Sequence, residues 1–153
     1  MPYEYHAKVK NVVDGDTIEV DIDLGFDVIL SSKKIRLVGL DTPESRTSDK
    51  IEKIFGLASK DFVKKFIESC KDRWIIVKTY IEENPNEKYG RLLGEIINPE
   101  NKVSLNEQLI NLGYAVGYQG ENKSTTKEEH LKNRKRLIDE GVVKLSYKDA
   151  GIL

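Results

Sequence analysis

The stretch Thr17-Ile18-Glu19-Val20-Asp21-Ile22-Asp23-Leu24 alternates polar and apolar side chains without a break. Period two places Ile18, Val20, Ile22 and Leu24 on one face of an extended chain and the carboxylates on the other, the pattern of a half-buried strand. Toward the N-terminus, Tyr3 to Val13 reads as a strand joined to this one through Asp14-Gly15, a tight-turn dipeptide. Toward the C-terminus, Phe26 to Leu30 extends a hairpin into a third strand over Lys33 to Leu40, with Ile35, Leu37 and Gly39 facing one way. Asp41-Thr42-Pro43 ends that strand, because proline lacks the ladder N–H and restricts Thr42 before it.

Beyond Pro43 the period changes. Ile54, Phe55, Ala58, Phe62, Phe66, Ile67 and Cys70 recur at intervals of three and four, with Lys60, Lys64, Lys65 and Glu68 between them. That spacing predicts an amphipathic helix over Ile54–Cys70. Trp74 to Ile81 and Tyr89 to Ile97 read as two more strands, joined across the polar turn Glu82–Lys88. Ser104-Leu105-Asn106-Glu107 is a capping box for a helix ending at Gly113. Thr126-Lys127-Glu128-Glu129 is a second, opening a helix whose apolar stripe is Leu131, Leu137 and Ile138. Five strands with helices between and after them predict a β-rich α+β fold, an OB-fold-like five-stranded β-barrel with three α-helices. No repeat, low-complexity tract or Pro/Gly-rich linker divides the 153 residues. Residues 1–153 are therefore expected to form one domain, with the tail from about 141 to 153 unassigned.

The charges nearly cancel: 25 Lys+Arg face 26 Asp+Glu, for a net charge of −1. This balance argues against an indiscriminate polycation. It conceals an asymmetry, net −3 over residues 1–50 and net +3 over residues 123–153. The single cysteine, Cys70, excludes an intrachain disulfide and any zinc site built on several thiolates. No apolar run approaches the ~18–20 residues of a membrane span, and residues 1–10 hold no signal-peptide stretch. The expectation is a monomer without a membrane partner, cytoplasmic or phage-borne and intracellular, unless a leader has been removed for secretion.

Unusual polar residues gather at three strand ends: Val13-Asp14-Gly15-Asp16-Thr17, then Ile35-Arg36-Leu37-Val38-Gly39-Leu40-Asp41-Thr42-Pro43-Glu44, then Lys88-Tyr89-Gly90-Arg91. Each alone is an ordinary turn or strand stop. Together they supply two carboxylates able to share a hard cation, a further glutamate and two arginines. Calcium or magnesium selects oxygen ligands. Arginine matches phosphate through its planar, permanently charged fork. A spare carboxylate can take a proton from water. The set suits phosphodiester hydrolysis.

In order and spacing, these three segments resemble the staphylococcal nuclease (thermonuclease) family of calcium-dependent nucleases, and the resemblance runs from about Tyr5 to Leu137. It implies an OB-type barrel of five strands with three helices, one Ca2+ ion as cofactor, and DNA or RNA as substrate. By the same resemblance, Asp16 and Asp41 would bind calcium with the backbone carbonyl of Thr42. Glu44 would be the general base for the attacking water, and Arg36 and Arg91 would grip the scissile phosphate. Lys88 and Tyr89 would touch a terminal phosphate, and Tyr118 lies near the family's base-stacking tyrosines. The phosphorus–5′-oxygen bond would be cut, leaving 3′-phosphate ends.

The rival reading is a non-catalytic OB-fold module binding nucleic acid or protein, against which all five of Asp16, Arg36, Asp41, Glu44 and Arg91 are filled. Simpler roles are expected elsewhere. Asp14 serves the turn, His6 and His130 lie on the surface or cap helices, and Cys70, Trp74 and the phenylalanines pack in the core. Lys132, Arg134, Lys135 and Arg136 form a solvated helix face or a phosphate-tracking patch.

Overall fold

The alternating N-terminal segments form three strands, β1 (Glu4–Asp14), β2 (Thr17–Asp23) and β3 (Ile29–Leu37), in a computed structural model that describes residues 3–80, 92–118 and 126–152. β1 and β2 pair antiparallel down to Asp14 opposite Thr17, which leaves Gly15 and Asp16 as the turn. β2 pairs antiparallel with β3. The helix α1 (Lys50–Ser69) and a short 3₁₀ turn lead to β5 (Trp74–Tyr80), which pairs with β6 (Leu92–Ile97). In the order β1-β2-β3-β6-β5 these strands close into a barrel, joined by the parallel pair β3–β6 and the antiparallel pair β1–β5. Closure removes the unpaired edges that an open sheet of this size would present. The helices α2 (Leu105–Asn111) and α3 (Lys127–Asp139) complete the expected β-rich α+β architecture.

The third strand differs from its sequence reading. It ends at Leu37 rather than Leu40, because Gly39 takes φ +82, a left-handed conformation that leaves the ladder. Leu40–Asp41 then forms a separate two-residue strand, β4, paired with β7 (Val116–Gly117). The helix α1 begins four residues before Ile54, since the Asp49 carboxylate accepts the N–H groups of Ile51 and Glu52 and so caps a mostly polar first turn. Ser104 caps α2 as predicted, accepting the Glu107 N–H. Thr126 does not cap α3 through its side chain: its own dihedrals are helical, φ −90° and ψ −10°, whereas a capping residue is extended. The turn Glu82–Lys88, residues 89–91 and the end of the predicted strand at Ile81 lie outside the described residues.

The barrel is filled by Ile18, Val20, Ile35, Leu37, Ile75, Val77 and Ile96, over which α1 lays Val63 and Ile67. Cys70 is buried beside them, and burial pushes its thiol above the usual range. A second cluster joins Phe55 of α1 to Leu137 of α3 and to Val143 and Ala150, which places the unassigned tail against the helices. Phe55 and Phe66 are core as expected, while Trp74 is half-buried. Phe26 is fully exposed at φ +53, followed by Asp27 at φ +61, because the tip of the β2–β3 hairpin projects beyond the barrel. Among the described residues no helix is long and apolar enough to cross a membrane.

Candidate active site

Small residues on α1 set the position of the two loops that carry acidic side chains. Gly56 lies so close to the loop after β4 that a Cβ there would stand 2.3 Å from the Glu44 carbonyl oxygen. One turn further on, a Cβ on Gly15 would stand 2.8 Å from the Ser59 Cβ, so the β1–β2 turn rests on the same face of the helix. The Ser45 hydroxyl donates to the Asp14 carboxylate and ties these loops to each other. Asp14 therefore serves as a turn and loop fastener. The Glu44 backbone N–H donates to Glu52 Oε1 of α1 at 3.3 Å, and Glu44 itself is exposed. Backbone is thus held while a carboxylate faces solvent.

Arg36, near the end of β3, connects the first loop to the second. Its Nη1 is 3.1 Å from Asp16 Oδ2, and its Nη2 donates to the Leu40 carbonyl at 3.3 Å. A third contact, Nη1 to the Leu37 carbonyl at 3.5 Å, is long. The Asp16 Oδ1 accepts the Thr17 hydroxyl at 2.9 Å, and the Asp16 carbonyl accepts the Leu37 N–H. Each Asp16 oxygen therefore accepts one neighbour, and an ionised carboxylate has about four lone-pair sites. The side chains of Asp16 and Arg36 are each 18% exposed, which limits screening of their attraction.

Asp41 is buried, and its strand position is set by the pairing of Asp41 with Val116 across β4–β7. Its Oδ2 lies 3.0 Å from Nε2 of His130, a residue 89 positions away on α3. His130 was expected to be a surface or capping residue; instead it is half-buried and joined to a candidate cation ligand, because α3 reaches Asp41 and the Ala115 carbonyl with its side chains. No spacing or motif in the sequence announces that contact. Thr42 is buried next to Asp41. Tyr118 stands close by through its backbone, whose N–H donates to the Gly39 carbonyl at 2.9 Å. Lys88, Tyr89 and Arg91 lie outside the described residues.

The basic cluster of α3 is mostly engaged within the molecule. Arg134 donates to the Ala150 carbonyl and lies over the Phe55 ring, Lys135 pairs with Asp139, and Arg136 pairs with Glu140 and donates to the Asn111 carbonyl.

Among the described residues, no three His, Cys, Asp or Glu side chains converge closely enough to hold a metal by themselves. What Asp16, Asp41 and Thr42 offer is two carboxylates and a backbone carbonyl, all oxygen. Such a set suits a hard divalent cation that keeps water in the rest of its shell and is unsuited to a thiophilic metal.

A family profile described as staphylococcal nuclease homologue matches residues 34–137. An uncharacterized protein of Methanocaldococcus jannaschii is 33% identical over 132 residues, covering 74% of this chain and 59% of that protein. A thermonuclease of Staphylococcus intermedius is 35% identical over 88 residues, covering 58% of this chain and 46% of the relative. An uncharacterized endonuclease of Escherichia coli is 30% identical over 119 residues, covering 76% of this chain and 63% of the relative. The chain therefore spans about half to two thirds of the length of these relatives.

Proposed function

This chain belongs to the family of staphylococcal nuclease homologues, and on that premise we propose that it is a calcium-dependent nuclease that hydrolyses DNA or RNA with little sequence specificity and leaves 3′-phosphate ends. The observation that carries the reading is Arg36, whose guanidinium links the Asp16 carboxylate to the backbone beside Asp41. A guanidinium has five N–H donors, and its contacts with Asp16, Leu37 and Leu40 leave two for a phosphate oxygen. The three contacts hold the fork in place before substrate arrives, so little reorganisation is left for the reaction.

Asp16, Asp41 and the Thr42 carbonyl would hold the calcium ion. When bound, that ion supplies positive charge to a phosphoryl oxygen. Glu44 would take a proton from water, whose oxygen forms the new bond to phosphorus as the bond to the 5′-oxygen breaks. The leaving 5′-oxygen takes a proton from solvent water and ends as a 5′-hydroxyl, and Glu44 returns its proton to solvent. Its exposure gives Glu44 access to water, and Gly56 fixes the backbone from which it reaches. Arg91 would share the phosphate with Arg36, Lys88 and Tyr89 would touch a terminal phosphate, and Tyr118 would stack on a base.

The test is calcium-dependent release of nucleotides from single-stranded DNA and from RNA, with the product ends identified. Wild type is expected to cleave with calcium and stop on chelation. Glu44→Gln, nearly isosteric and unable to take the proton, should be slower by about 10²- to 10⁴-fold. Equal rates for wild type and Glu44→Gln in calcium would rule out the reading.

A further inference from the structure

The contact between His130 and Asp41 joins α3 to the candidate cation site, and nothing in the sequence around His130 announces it. An ionised carboxylate only accepts, so the hydrogen bond runs from the imidazole Nε2–H to Asp41 Oδ2. Both side chains are well shielded, 19% exposed for His130 and 11% for Asp41, so water competes weakly for this bond. His130 is the first of several residues by which α3 faces the rest of the protein. Three positions on, Asn133 Nδ2 donates to the Ala115 carbonyl at 3.1 Å, directly before the β7 residue that pairs with Asp41. Four positions on, Arg134 lies over Phe55, and seven positions on, Leu137 is buried beside that same ring. Spacings of three, four and seven define one helical face. That face ends on Asp41.

We infer that His130 is a positioning residue that orients the Asp41 carboxylate for the cation and thereby couples calcium binding to the docking of α3. A carboxylate ligand needs a fixed rotamer, and a hydrogen bond to one of its oxygens supplies it at the cost of one lone pair. Coupling is reciprocal: if a docked α3 favours the cation, the cation favours a docked α3 by the same factor. The inference rests on the assignment of Asp41 as a ligand in the nuclease reading, and its test separates the two.

Calcium alone is titrated into the full chain by calorimetry, and amide exchange of residues 127–139 is followed with and without it. His130→Ala should weaken calcium binding by about 10- to 100-fold, the usual effect of removing a partner of a metal ligand. His130→Gln, whose amide nitrogen falls near the place of Nε2, should recover most of that loss. Calcium should slow exchange along α3 in wild type and leave it unchanged in His130→Ala. Asn133→Ala loosens the same helix but keeps the His130–Asp41 bond, so it should weaken calcium binding far less than His130→Ala. Equal affinity in wild type and His130→Ala overturns the inference while leaving the cation site intact. Equal losses in His130→Ala, His130→Gln and Asn133→Ala overturn it too, since the helix would then matter and the hydrogen bond would not. A wild-type chain that binds no calcium overturns the assignment of Asp41 and the inference with it.

Discussion

At Arg36 one side chain bonds in two directions, to Asp16 Oδ2 at 3.1 Å and to the Leu40 carbonyl at 3.3 Å. A lysine ammonium is a point donor on a flexible stem and cannot span both while also meeting a phosphate oxygen. Arg36→Lys keeps the charge and removes the fork. Its cleavage rate should therefore fall by about 10²- to 10³-fold, the scale for losing one well-placed donor to transition-state charge, while the melting temperature changes little. A variant that cleaves at the wild-type rate refutes the role given to the fork. Asp16, Arg36, Asp41 and Glu44 could be named as candidates from sequence because they sit in short segments that, taken together, resemble the motifs of one family. His130 could not, because its partner is 89 residues away and only the tertiary fold brings them together.

Elements show the same division between local and distant causes. Strands β1, β2 and β5 follow from alternation and β-branched content within each segment, and the barrel follows from their order. The break in β3 and the early start of α1 depend on single residues, Gly39 at φ +82 and the Asp49 cap, that a periodicity reading passes over. Gly56 is another: within a helix, alanine is ordinarily favoured over glycine by about 1 kcal/mol. Here a Cβ would lie 2.3 Å from the Glu44 carbonyl oxygen and 2.6 Å from the Ser45 nitrogen, both backbone atoms that no rotamer change can move aside. Gly56→Ala should thus reverse the usual sign and cost about 1–3 kcal/mol, the range for overpacking. By displacing Glu44 it should also slow cleavage more than it weakens oligonucleotide binding. Thermal melts and a KM-against-kcat comparison check both halves, and a stabilised, fully active variant would show that the loop does not rest on α1.

For the molecule as a whole, the proposed function raises the question of how a chain of net charge −1 would hold a polyanion. The net +3 of residues 123–153 looks like a remedy in the sequence. In the fold, Lys135 and Arg136 are paired with Asp139 and Glu140, and Arg134 is spent on the Ala150 carbonyl and the Phe55 ring. A cation already neutralised by a neighbouring carboxylate releases few counterions when a phosphate arrives. In the proposed function, phosphate contact would then fall mainly to Arg36 and, outside the described residues, to Arg91 and Lys88. For single strands, log affinity falls with log salt at about −0.7 per phosphate neutralised, so two or three contacts give a slope near −2. The measurement is anisotropy of a short labelled single-stranded oligonucleotide titrated with Glu44→Gln protein, with calcium present and sodium chloride varied. A slope between about −1.5 and −2 matches two or three neutralised phosphates at the site. A slope steeper than about −4 requires some six neutralised phosphates, more than the residues assigned to the site supply. It would mean that basic residues away from the site, those of α3 among them, take part in holding the substrate backbone.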